Sequence, residues 1–100
     1  MEHLIIEFNH GIRDISPYYE IIKKIKYKMQ KQCIGEFLGD DMAIDGGNAE
    51  AIFSCPSAKD LFNFIKNDIQ SLSCMKHAKV TFIFGELESD ATQETFLIGY

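Results

Sequence analysis

The 100-residue chain has no tryptophan, only two prolines and three cysteines, and ten Lys and Arg against fifteen Asp and Glu. Each scarcity excludes something. No apolar run approaches the ~20 residues that span a bilayer. The opening MEHLIIEF carries an acidic second residue and a very short apolar stretch, so it lacks the pattern of a secretory signal and the cytoplasm is the expected compartment. A formal charge of -5 argues against nucleic acid as the main partner, because phosphate binding needs a basic surface. Cys33, Cys55 and Cys74 are odd in number, widely spaced and without a CxxC, so neither a disulfide framework nor a zinc site is expected. They read as buried free thiols. GxSxG, HExxH and P-loop motifs are all missing. What is present, 46% hydrophobic and 25% charged residues, is too apolar for disorder and fits a single α+β domain over 1–100.

The periodicities are clear. Residues 3–8 alternate, with Leu4, Ile6 and Phe8 on one side and His3, Ile5 and Glu7 on the other, which is a strand. Ser16-Pro17 starts a helix of about 15 residues ending near Gln32. Tyr18, Ile22, Ile25 and Met29 form its apolar stripe and lysines cover the remainder. CIGEFLGDDMAI and AEAIFSC form two strands around a turn at Asp45-Gly46-Gly47-Asn48. Gly35 and Gly39 inside the first arm imply a bulge or a close backbone approach. Pro56-Ser57 opens a second helix, with Asp60 three residues on as an acidic capping box and Leu61, Ile65, Ile69 and Leu72 as its stripe. Residues 78–84 alternate with Val80, Phe82 and Phe84 inward and Thr81 and Ile83 outward. Residues 85–95 read as an acidic loop, and FLIGY closes as a short strand.

The order β-α-β-β-α-β plus a short final strand, with two singly striped helices, predicts a ferredoxin-like split β-α-β sandwich. Both helices then lie on one sheet face and leave the other open. The hairpin arm Gly35-Glu36-x-x-Gly39-Asp40-Asp41 and the strand Lys79-Val80-Thr81-Phe82-x-Phe84-Gly85 resemble a group of small stand-alone bacterial proteins over roughly residues 2–100. That resemblance implies the same ferredoxin-like fold. It implies no activity and no catalytic residues, since none is assigned to the group.

Four features carry the functional expectations. On the open face, Ile5, Ile52 and Ile83 should stand beside Glu7, Glu36 and Glu50, forming a patch that monomers seldom leave wet and that fits a protein partner or a second copy. Asp40 and Asp41 of the hairpin arm, with Asp45, form a negative knob able to attract a basic partner. His10 and Arg13, in the loop before the first helix, are candidates for binding an anion at a helix start. Lys23, Lys24, Lys26, Lys28 and Lys31 concentrate half of the basic residues on one helix, without interleaved aromatics to stack nucleobases. No catalytic, cofactor-binding or metal-ligating set is read from the sequence. The expected role is a non-enzymatic binder of a basic protein, of the immunity type. A homodimeric small-ligand or regulatory module and an acylphosphatase-like anion-binding enzyme are the alternatives.

Overall fold

A computed structural model describes residues 2–9, 16–42, 48–71, 78–85 and 92–98. Alternating side chains need a sheet and striped helices need something to cover, and the chain meets both demands in one layer pair. The elements are β1 (Glu2–Asn9), α1 (Ser16–Gln32), β2 (Glu36–Met42), β3 (Asn48–Cys55), α2 (Ala58–Gln70), β4 (Lys79–Ile83) and β5 (Gln93–Leu97). They form a five-stranded antiparallel sheet of order β2-β3-β1-β4-β5. The arrangement is consistent with a ferredoxin-like type of fold, with β5 added outside β4.

The hydrophobic pattern decides which face is covered. Leu4, Ile6 and Phe8 of β1 join Ala51 and Phe53 of β3 and Val80 and Phe82 of β4 in one buried cluster. Tyr18, Ile22, Ile25 and Met29 of α1 and Leu61, Phe62, Ile65 and Ile69 of α2 fill the same cluster, so both helices pack on this single face. Phe62, Phe82 and Phe96 meet edge to face at 5.3–5.9 Å, which ties α2 to β4 and β5. Between the helices, Asp68 of α2 receives Lys28 at 2.9 Å and Lys24 at 3.1 Å.

Local chemistry sets the ends of the elements. Ser57 is extended (φ -142°, ψ 114°) and its hydroxyl accepts the Asp60 N–H at 3.3 Å, the expected cap of α2. A second cap was not legible: Glu2 reaches from β1, and its Oε1 accepts the Ala58 N–H at 2.7 Å. At the other helix, the Ile34 N–H donates to the Met29 carbonyl (3.3 Å) around Cys33, whose φ is +55°. This is a left-handed helix stop, a place usually taken by glycine. It leaves Cys33 exposed, which corrects the expectation that this thiol is buried; Cys55 is buried as expected.

Gly35, just before β2, and Gly39, within it, divide the alternatives between them. At Gly35 a Cβ would lie 2.9 Å from the Ser54 carbonyl oxygen, so the backbones approach too closely for a side chain. At Gly39 (φ +147°) nothing is near, but the pairing with β3 slips between Phe37 and Gly39, which marks the bulge.

Three further expectations change. β5 begins at Gln93, three residues before the expected FLIGY strand, so Glu94 belongs to a strand and not to the acidic loop. Ile83 does lie on the face away from the helices, yet it is only 7% exposed, and Thr81 and His3 on that face are also buried. The three-isoleucine exposed patch is therefore reduced to half-buried Ile5 and Ile52. The lysine helix does carry aromatics on its solvent side: Tyr27 is 65% exposed, with Lys31 over its ring at 5.8 Å. Asp45, Gly46, Gly47, Leu72, Cys74 and His77 lie outside the described residues.

Candidate functional site

Register arranges the helix-free face in rows across all five strands. One row runs Glu36, Ser54, His3, Ile83, Gln93 from β2 to β5. The next runs Gly39, Ile52, Ile5, Thr81, Thr95, with the Thr81 and Thr95 hydroxyls 3.3 Å apart. The third runs Asp41, Glu50, Glu7, Lys79, Leu97. That third row sets three carboxylates side by side on adjacent strands before it reaches a positive charge, Lys79, whose Nζ lies 3.6 Å from the Glu7 carboxylate.

Antiparallel partners hold their Cβ atoms about 4.5–5.5 Å apart, and like charges placed there repel. The Asp41–Glu50–Glu7 row is thus unfavourable for the isolated sheet. The face is asymmetric: its β2-β3-β1 side is acidic, with Glu36 also exposed at the edge, while its β4-β5 side bears Lys79 and neutral residues. Half-buried Ile5 and Ile52 border the acidic row and give it an apolar flank.

The bulge decides which aspartate joins this face. Inserting Leu38 reverses the alternation, so Asp41 shares a side with Glu50 and Glu7 while Asp40 turns toward α1. There Asp40 accepts a hydrogen bond from the Tyr18 hydroxyl at 3.3 Å. The negative knob of Asp40 and Asp41 is therefore divided between two faces. Of the other expected binding residues, Ile5, Glu7, Glu36, Glu50 and Ile52 come together on the helix-free face, and Ile83 is present there but buried. His10 and Arg13 lie outside the described residues. Lys79 was missed. The sequence places it one residue before Val80 in an alternating strand, but only the β1–β4 register sets it opposite Glu7.

The chemistry available here is recognition of cations. Among the described residues, no group of three or more His, Cys, Asp or Glu side chains is disposed to hold a metal ion. The Cys55 thiol is pushed up to about 11 by burial and by the Glu2 carboxylate, so it stays protonated near neutral pH. His3 is buried with Nδ1 2.9 Å from the Gly85 carbonyl oxygen, which engages that nitrogen as a donor. No helix of the described residues is long and apolar enough to cross a membrane. Compared with protein-family models, with curated proteins and with solved structures, the chain has no match.

Proposed function

We propose that the protein is a non-enzymatic binder of a basic protein partner in the cytoplasm, which it neutralises or regulates in the manner of an immunity protein. The Asp41–Glu50–Glu7 row would receive lysine or arginine side chains, and Ile5 and Ile52 would supply the apolar contact beside them. The ferredoxin-like split β-α-β sandwich suits this role because its helices occupy one face and leave the other for docking.

One observation carries the reading: like charges stand in direct register on three neighbouring strands. A sheet free of other demands gains by separating them. A cationic partner turns the same repulsion into attraction, and complementary potential of this kind speeds encounter by 10-fold or more at low salt, on the order of 10–10³. Stacking two copies of this face with acidic side on acidic side is disfavoured by the same row.

The test is capture on the immobilised chain from extracts of its own host, with bound proteins identified and the tightest binder then purified. Association kinetics are measured with the wild type and with the Glu7→Gln/Glu50→Gln variant. The expected partner is basic, and its association rate falls about tenfold in the variant and again as salt rises from about 0.1 M to about 1 M, where the screening length shrinks from about 10 Å to about 3 Å. An acidic or neutral partner, or association indifferent to both the variant and salt, would overturn the proposal.

A further inference from the structure

Among the described residues the sheet ends at two edge strands, β2 and β5, and they are built differently. The β2 edge carries a bulge at Leu38 and the charges of Asp40 and Asp41, devices that keep other strands from pairing there. The β5 edge has no bulge, and its one charge, Glu94, is paired with Lys59 of α2. Gln93–Leu97 contains no lysine, arginine or proline, and its register with β4 runs without a slip. Gln93, Glu94, Thr95 and Leu97 are exposed, Leu97 to 65%. Among the described residues no strand pairs with the outer side of β5.

The ladder also fixes which backbone groups point outward. The Phe84 N–H donates to the Thr92 carbonyl at 2.9 Å, and the Ile98 N–H donates to the Ala78 carbonyl at 2.8 Å. Hydrogen-bonded positions alternate along an antiparallel pair. Positions 92, 94, 96 and 98 therefore bond toward β4, and Gln93, Thr95 and Leu97 turn their N–H and C=O groups to the open side.

We propose that β5 pairs with β5 of a second copy of this chain, antiparallel about a two-fold axis at Thr95, joining two sheets into one continuous sheet. An axis at any residue of β5 brings outward groups opposite outward groups, but only the axis at Thr95, the middle residue, pairs the whole of Gln93–Leu97. It sets Thr95 opposite the partner's Thr95, Gln93 opposite the partner's Leu97, and Glu94 opposite the partner's Phe96. Every outward donor then meets an acceptor, no charge faces a like charge, and exposed Leu97 gains cover. The contact is self-complementary, as a closed two-fold dimer requires. It lies at the edge remote from Asp41 and Glu50, so it stands or falls independently of the basic-partner reading.

The test uses cross-linking that reads the register. In a background with Cys33 and Cys74 replaced by serine, Thr95→Cys places two thiols on strands whose facing Cα atoms are about 5.5 Å apart, within the roughly 4.4–6.8 Å that a disulfide accepts. Leu97→Cys places them about four residues apart along the strands, roughly 13 Å, beyond that reach. Mild oxidation should link the Thr95→Cys chains on the order of tenfold faster than the Leu97→Cys chains. The unmodified chain should sediment at tens of micromolar, on the order of 10⁻⁵ M, as a particle of twice the chain mass. Thr95→Pro removes an outward N–H and the hydroxyl contact to Thr81 but no hydrogen bond of the β4–β5 ladder, so it should keep the circular dichroism spectrum while giving a monomer. A wild-type monomer, or equal cross-linking at positions 95 and 97, would overturn the inference.

Discussion

Asp68 lies in the seam between α1 and α2, 8% exposed, with two lysine ammonium groups on its oxygens. Burial alone would raise its pKa; the hydrogen bonds and charges of Lys28 and Lys24 outweigh burial and hold it below the usual carboxylate value. A carboxylate depressed in the folded state contributes stability above its unfolded pKa, about 4, and loses that contribution as pH falls through the folded value. Asp68→Asn should therefore cost about 1–2 kcal/mol at neutral pH, the worth of a charge-assisted hydrogen bond diluted by lysines that can turn to water. Urea midpoints followed from neutral pH down past about 3 should show the wild type and the variant converging. A constant gap at every pH would mean that lost packing, not the ion pairs, accounts for the cost. In the sequence Asp68 is one more acid on a helix, and Lys24 and Lys28 are two cations one turn apart. Their shared role depends on how two distant helices meet.

At the scale of elements, the signals that were local read correctly. Ser57 with Asp60 three residues on announced the start of α2, and its hydroxyl does cap the helix. Ser57→Ala should lower stability by about 1 kcal/mol, which for a domain of this size is a thermal midpoint lower by roughly 4–8 °C. Calorimetry checks this, and an unchanged midpoint would show that Glu2, donating nothing but accepting the Ala58 N–H, caps the helix alone. Glu2 was illegible because it lies 56 positions away in sequence. The same division explains β5. Phe96 and Leu97 marked an apolar strand, but its start at Gln93 is set by pairing with Ile83, a contact that no window over residues 85–95 contains. The glycines before and within β2 gave the intermediate case. Gly35 and Gly39 signalled irregular backbone, while the consequence of the bulge, that Asp40 and Asp41 take opposite faces, needed the partner strand.

For the molecule as a whole, charge is sorted by side: α1 puts lysines over the helical layer, and the other face puts Asp41, Glu50 and Glu7 in register. Alternation in the sequence sent Glu7 and Glu50 outward correctly. It could not show that they stand opposite each other, because register comes from three strands pairing at once. That alignment sets stability against recognition. Glu50 is the middle member, with a carboxylate bearer on either side, so Glu50→Gln removes two repulsive neighbours while keeping shape and strand pairing. The variant should be more stable than the wild type by a few tenths of a kcal/mol, about 0.2–1, at low ionic strength. The gain should shrink as salt screens charges separated by water-exposed paths. Denaturation midpoints across a salt series measure it. A variant less stable than the wild type at low salt would show that Glu50 is held by favourable partners, and the row would then be a structural network with no need of a cationic protein to relieve it.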